Sequence, residues 1–158
     1  MKNIIKKTII ALFIILLAIA INNIIKKSES KIYAASSSNS TSDLQLMARA
    51  INGEARGEPY EGQVAVGAVI LNRVASSNFP NTIAGVIYQS GAFTAVSDGQ
   101  INVAISESSS VVKAAQDALN GWDPTNGAIY YFNPNTATNS WIWSRPQIKT
   151  IGKHIFCK

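Results

Sequence analysis

The stretch Ala50-Ile51-Asn52-Gly53-Glu54-Ala55-Arg56-Gly57-Glu58-Pro59-Tyr60-Glu61-Gly62-Gln63 decides the fold, together with the apolar run Val64 to Leu71 and the Asn72-Arg73-Val74 that follows. Three carboxylates and an arginine fall within the eight residues 54–61, between segments that are almost wholly apolar. Acids beside a core helix are costly unless they are hydrogen-bonded or put to use.

Leu44, Met47, Ala48 and Ile51 stand at i, i+3, i+4 and i+7, the stripe of an amphipathic helix. Ser42 and Gln45 have the spacing of a capping box that would open it. Glu54 continues the stripe, three residues past Ile51, so it is predicted to face inward at the helix C-terminal end. Gly57 is the expected C-cap, and Pro59 stands where a new helix would begin. That second helix, over about 60–76, is apolar on every side between Val64 and Leu71 and is therefore predicted to be buried. An inward carboxylate desolvated by its neighbours holds its proton more tightly, which suits a general acid. The competing reading is structural: a capping glutamate, or one paired with Arg56 or Arg73.

Gly53-Glu54-Ala55-Arg56-Gly57-Glu58-Pro59-Tyr60-Glu61-Gly62-Gln63-Val64-Ala65-Val66 with Leu71-Asn72-Arg73-Val74 resembles the signature of the spore-cortex-lytic cell wall hydrolases, the SleB/CwlJ type. Four later segments match in the same order: Ala95 to Ile101, Tyr131 to Pro134, Trp141 to Pro146 and Ile151 to Phe156. The likeness covers about Leu44 to Lys158. One departure is Gly53, where the family more often has alanine. The resemblance implies a catalytic Glu54 and an α+β, two-lobed, lysozyme-like domain. It also implies a role in germination or wall turnover.

Of fourteen cations, Lys2, Lys6, Lys7, Lys26, Lys27 and Lys31 precede Ser36. From Ser36 onward eight cations meet eight anions, so the net charge of +5 belongs to the leader. Nucleic-acid binding therefore has no electrostatic footprint. Cys157 is the only cysteine and His154 the only histidine. A zinc site built from Cys and His is excluded, and a Ser-His-Asp triad would have to use the C-terminal His154. No cofactor or metal is expected.

The lysines at 2, 6 and 7 followed by the apolar run Thr8 to Ile21 read as an export signal, extended by Ile24 and Ile25 to near membrane-span length. Residues 1–35 are accordingly expected to be a signal peptide or membrane anchor, 36–42 a polar linker and 43–158 the catalytic domain. Either leader places that domain outside the cytoplasmic membrane, as a monomer acting on wall or cortex.

Beyond the central helix, Thr82 to Gln89 is predicted to form a short helix and Val111 to Leu119 a third, stopped at Asn120-Gly121. Ala128 to Phe132 and Ile148 to Phe156 each read as a strand. Helices first and strands last give an α+β class, with a small antiparallel sheet near the C-terminus.

Tyr130, Tyr131, Phe132, Trp141 and Trp143 crowd into fourteen residues. Aromatic faces stack on sugar rings, and amide side chains such as Asn133 donate to and accept from acetamido and hydroxyl groups. Tyr131, Asn133 and Trp141 are thus candidates for glycan contact. Asp98 and Gln100 join them through the resemblance, although Asp98-Gly99 is also ordinary turn chemistry. Arg145 would meet a substrate carboxylate or an acid of the fold. Glu58 and Glu61 are candidates for a second carboxylate, though both also suit a helix start.

Glycan hydrolysis ordinarily takes two carboxylates, whereas a lytic transglycosylase lets the substrate's own C6 hydroxyl attack and needs one. The expected activity is cleavage of peptidoglycan between N-acetylmuramic acid and N-acetylglucosamine, of the lytic transglycosylase type. Hydrolysis by water is the first alternative. A catalytically silent wall-binding module is the second.

Overall fold

The computed structural model describes residue 17, residues 19–26 and residues 40–158. Two compact units divide the chain, Met1–Ser40 and Thr41–Lys158. In the first, residues 19–26 are helical, and no helix among the described residues is long and apolar enough to cross a membrane. Most of the expected leader and linker lies outside the described residues.

Helix α1 covers residues 40–55, all but the first of them in the second unit. Ser42 therefore lies within the helix, not at its cap. Met47, Ala48 and Ile51 of the stripe are fully buried, and so is Ala50 beside it. The chain leaves α1 through a turn in which the Glu58 amide donates to the Ala55 carbonyl at 3.0 Å. Gly57 is not in the left-handed region, so the break needs no glycine there.

Helix α2, Tyr60–Ala75, begins after Pro59 and is the centre of the domain. Every residue from Gly62 to Ile70 is buried. Val64, Val66, Val69 and Ile70 are wholly removed from solvent, each contributing about 1.5–3 kcal/mol relative to exposure. One side joins the main core with Met47 and Ile51 of α1 and with helix α5, Ser110–Leu119. At Gly67 an added Cβ would stand 2.9 Å from Ala118 Cβ and 3.2 Å from Ile51 Cδ1. Small residues thus set the close approach of the three helices. The opposite side, Ala65 and Val69, packs on Ala128, just before the strand Tyr130–Phe132, and on Ile151 and Phe156 of the sheet.

Between α2 and α5 run two short helices, α3 (Ile83–Ile87) and α4 (Thr94–Ser97), and a 3-10 turn at Gln100–Asn102. Thr82 caps α3 by accepting from the Gly85 amide at 3.0 Å. The sheet holds β1 (Tyr130–Phe132), β2 (Gln147–Ile151) and β3 (His154–Cys157) in the order β1-β3-β2, all antiparallel. A bulge falls between Gln147 and Lys149. The expected single strand Ile148 to Phe156 is instead a hairpin. Its turn uses Gly152 at φ +58°, a conformation open to glycine at no steric cost. Helix α6, Ser140–Trp143, is a further short element, capped by Asn139. Helices lead and a small antiparallel sheet closes the chain, as expected.

The Asn72-Arg73 pair ties α2 to β1. Asn72 Nδ2 donates to Asp123 Oδ2 at 2.9 Å and to the Ala128 carbonyl at 3.0 Å, and Arg73 Nε donates to the Ile129 carbonyl at 2.7 Å. Burial pushes the Asp123 carboxyl up, but hydrogen bonds from the Thr125 hydroxyl, Asn72 and the amides of Thr125 and Gly127 outweigh it. They hold its pKa below the ordinary value of 3.8. The folded pKa is the depressed one, so this carboxylate stabilises the fold above the unfolded value and loses that contribution as pH falls through the folded one. Asp123→Ala should lower stability by about 2 kcal/mol or more near neutrality. In melting experiments across pH, the gap from wild type should narrow below pH 3.8.

Candidate active site

Glu54 occupies the last turn of α1, half-buried and facing inward as its stripe position requires. Its two oxygens have different surroundings. Oε1 accepts from the Thr94 hydroxyl and from the Ala95 amide, each at 2.8 Å. Oε2 accepts from the Tyr131 hydroxyl at 3.2 Å. A backbone N–H cannot turn into an acceptor, so Oε1 is a committed acceptor. A proton carried by this carboxyl therefore belongs on Oε2.

Gly53 makes that geometry possible. An added Cβ would stand 2.5 Å from Ala95 Cβ and 3.2 Å from Gln100 Cβ. The missing side chain lets α4 press against α1 and bring the Ala95 amide to the carboxylate. Glycine inside a helix costs about 0.5–1 kcal/mol relative to alanine, and this contact accounts for it. By size alone, the sequence showed only a small residue here.

Tyr131 reaches Glu54 from β1, where it pairs with Phe156 of β3. Burial, the Glu54 charge and the hydrogen bond to Glu54 all raise its pKa, against the opposing influence of Arg73. The phenol pKa lies well above 10.0, so it stays protonated and donates. The Arg73 guanidinium is buried with its Cζ 5.4 Å from the ring centres of Phe79 and Phe93 and 5.6 Å from that of Tyr130. Burial works against its charge, while Tyr131, Tyr130 and Glu54 favour it. His154 packs edge-on against Tyr131 at 5.2 Å, and its buried Nδ1 has no hydrogen-bond partner among the described residues. Burial lowers its pKa from 6.5 despite the raising influence of Glu58 and Glu54, which keeps the ring neutral at pH 7.

The other acids are engaged elsewhere. Glu58 Oε2 accepts from the Lys153 amide in the β2–β3 turn at 2.8 Å, and a Cβ at Gly152 would overlap that oxygen. Glu61 pairs with Lys149 at 2.8 Å on the exposed surface, in the first turn of α2. Asp98 Oδ1 accepts from the Gln100 amide at 3.0 Å, which is turn chemistry. Gln100 Oε1 takes the Arg56 guanidinium at 2.9 Å. Neither Arg56 nor Arg73 forms an ion pair with Glu54.

Beside Tyr131 opens a cleft of about 340 Å³, lined also by Arg73, Phe79, Tyr130, Asn139 and Trp141. Glu54 does not line it, and Tyr131 is shared by the cleft and the carboxylate. Trp141 is half exposed and stands edge-on to Tyr130 at 5.1 Å. Arg145 lies over Tyr130 and Trp141 at 5.4 and 5.2 Å and donates to the Lys158 main-chain oxygen at 2.6 Å. It meets aromatic faces and backbone, not an acid of the fold. Asn133 Oδ1 holds the Asn135 amide at 3.0 Å in a turn after β1. Among the described residues, no group of three or more His, Cys, Asp or Glu could hold a metal ion.

Thr94 and the Ala95 amide were not singled out from the sequence, since nothing local marks a donor that acts forty residues away. Gly53→Val should drive side-chain atoms into Ala95 and lower stability by about 1–3 kcal/mol, read as a drop in melting temperature. A rise, as helix propensity alone would give, would mean that α4 yields freely.

The Cell Wall Hydrolase family matches residues 57–157, beginning three residues after Glu54. The spore cortex-lytic enzyme of Bacillus cereus is 66% identical over 119 residues, covering 75% of this chain and 45% of that protein. The chain thus spans somewhat less than half the length of that relative. The cell wall hydrolase CwlJ of Bacillus subtilis is 32% identical over 123 residues, which cover 73% of this chain and 84% of that protein. The crystal structure of the catalytic domain of the Bacillus cereus SleB protein superposes with a TM-score of 0.69 at 67% identity, over 73% of this chain and 89% of that one. The catalytic domain of the germination-specific lytic transglycosylase SleB from Bacillus anthracis gives 0.70 at 66% identity, over 73% and 93%. The two-lobed, lysozyme-like α+β arrangement expected from the sequence is the one found, and by sequence and structure alike the chain belongs to the cell wall hydrolase family.

Proposed function

We propose that this domain cleaves the glycan strand of peptidoglycan between N-acetylmuramic acid and N-acetylglucosamine as a lytic transglycosylase, acting outside the cytoplasmic membrane. The observation that carries the reading is the isolation of Glu54. It is aimed by three donors from two other segments, while Glu58, Glu61 and Asp98 are each engaged elsewhere. Spore cortex is the substrate favoured by the names of the relatives.

Glu54 Oε2–H protonates the glycosidic oxygen as its bond to the muramic C1 breaks. The C6 hydroxyl of the same sugar then attacks C1, and the Glu54 carboxylate takes the hydroxyl proton. One carboxyl serves as acid and then base, and the cleaved strand ends in 1,6-anhydro-muramic acid. Throughout, the Ala95 amide and the Thr94 hydroxyl hold Oε1, so the proton leaves from and returns to the oxygen beside Tyr131. Intramolecular attack needs no bound water and gains from proximity.

Three outcomes test this reading. Glu54→Gln keeps the shape but cannot donate the proton, so lysis of purified peptidoglycan should fall by at least about 10²-fold with the melting temperature unchanged. Mass spectrometry of the fragments released by wild type should show anhydro ends. Fragments heavier by one water and reducible by borohydride would instead establish hydrolysis and require a second carboxylate. Tyr131→Phe preserves the ring for stacking and removes only the hydroxyl. A hydrogen bond to a charged group contributes about 1.5 kcal/mol, so kcat should fall by about tenfold with KM little changed. An unchanged kcat would return Tyr131 to a sugar-stacking role.

A further inference from the structure

Asn72 and Arg73 are neighbours on α2 and line different depressions. Arg73 lines the cleft beside Tyr131, and Asn72 lines a smaller pocket of about 110 Å³. The two share no lining residue. The inner walls of the smaller pocket are Ala68, Leu71 and Ala118, one side is Trp122, and its polar edge is Asn72 and Asp123.

Trp122 is 44% exposed, and Tyr60 beside it is 38% exposed, with ring centres 6.1 Å apart. The Tyr60 ring and the Trp122 backbone are both tied to Asp117. Tyr60 donates to Asp117 Oδ2 at 2.7 Å, and the Trp122 amide donates to the Asp117 carbonyl at 3.0 Å. Two large apolar rings held at the surface beside an apolar pocket make a patch that calls for an occupant.

The polar groups say what it is. Asp123 already accepts from the Thr125 amide and hydroxyl, from Asn72 and from the Gly127 amide, so its oxygens are committed. Asn72 spends its Nδ2 on Asp123 and Ala128, and among the described residues nothing donates to its Oδ1. The Trp122 indole N–H is likewise uncommitted among them. No cation lines the pocket, and Asp117 and Asp123 stand by it, so an anionic group is disfavoured. A neutral group with a methyl and an N–H fits, and an indole face beside it fits a sugar ring.

We propose that Trp122, Asn72 and this pocket form a second subsite for a neutral N-acetylated sugar of a glycan strand, apart from Glu54 and the cleft beside Tyr131. The pyranose stacks on Trp122, the acetamido methyl enters between Ala68, Leu71 and Ala118, and the acetamido N–H donates to Asn72 Oδ1. The subsite holds the polymer while cleavage occurs elsewhere. The choice of polymer rests on the function proposed above.

The test uses the chain carrying Glu54→Gln, so that binding is read without turnover. Titration with an N-acetylglucosamine tetramer should shift the Asn72 side-chain amide and Trp122 indole resonances, and a glucosamine tetramer should not. Trp122→Ala in the same background should weaken pelleting with insoluble peptidoglycan by about tenfold. Trp122→Phe, which keeps a smaller ring, should weaken it less. Equal pelleting of Trp122→Ala, or stronger binding of the cationic glucosamine tetramer, would overturn the subsite. So would a wild-type dimer that Trp122→Ala makes monomeric, because the patch would then be a contact between two copies. Failure of the Glu54 assignment would appear in the lysis assay and leave the tetramer titration readable, because a tetramer of N-acetylglucosamine has no muramic acid linkage to cleave.

Discussion

A helix that is apolar on every side must be covered on every side, and the rest of the domain follows from that requirement. The buried run of α2 offers no face to solvent, so neither the helices nor the sheet alone can complete its burial. Met47, Ile51 and Ala118 close on one side and Ala128, Ile151 and Phe156 on the other. The carboxylate at the end of α1 and the phenol on β1 are seventy-seven residues apart, yet they meet because both elements pack on the same helix. Substituting a bulkier residue at Gly67 would separate α2 from α5 and would reach this site through the packing, without touching it.

The sequence made Glu54 legible because a helix repeats every 3.6 residues and Glu54 continues the stripe of Met47 and Ile51. The same logic located α5, a run apolar on every side after Pro59 located α2, and turn chemistry placed Asp98 correctly in an Asx turn. What the sequence did not reveal was non-local or very short. Thr94 and the Ala95 amide act through a four-residue helix, below the length at which periodicity gives a signal. The hairpin at Gly152 was hidden inside a run that alternates well enough to pass for one strand. Gly152 marks a turn only once Glu58 is known to occupy the space where its Cβ would be. Ser42 shows the opposite error, since a capping-box spacing also occurs inside a helix that began earlier.

The aromatic cluster divides along lines that composition could not draw. Phe132 is buried and Trp141 half exposed, although both stand in the same aromatic-rich segment. Tyr131 combines the two roles, because its ring borders the cleft while its hydroxyl is committed to Glu54. Of the two partners expected for Arg145, a substrate carboxylate or an acid of the fold, the second is not what it meets: it lies against two rings, which a planar, weakly hydrated guanidinium does readily.

The two arginines nearest the acid complete the physical picture. The acid-then-base role proposed for Glu54 would be poorly served by a direct ion pair, which favours one protonation state only. Arg56 lies two residues from Glu54 and is drawn off by the Gln100 side chain. Arg73 is buried within electrostatic reach of Glu54, yet its Nε is held by the Ile129 carbonyl and its face by Phe79, Phe93 and Tyr130. The rings satisfy the buried cation that would otherwise seek the carboxylate. Glu54 is left with hydroxyl and amide donors. These fix its direction without supplying a full positive charge, as the proposed acid-then-base role requires.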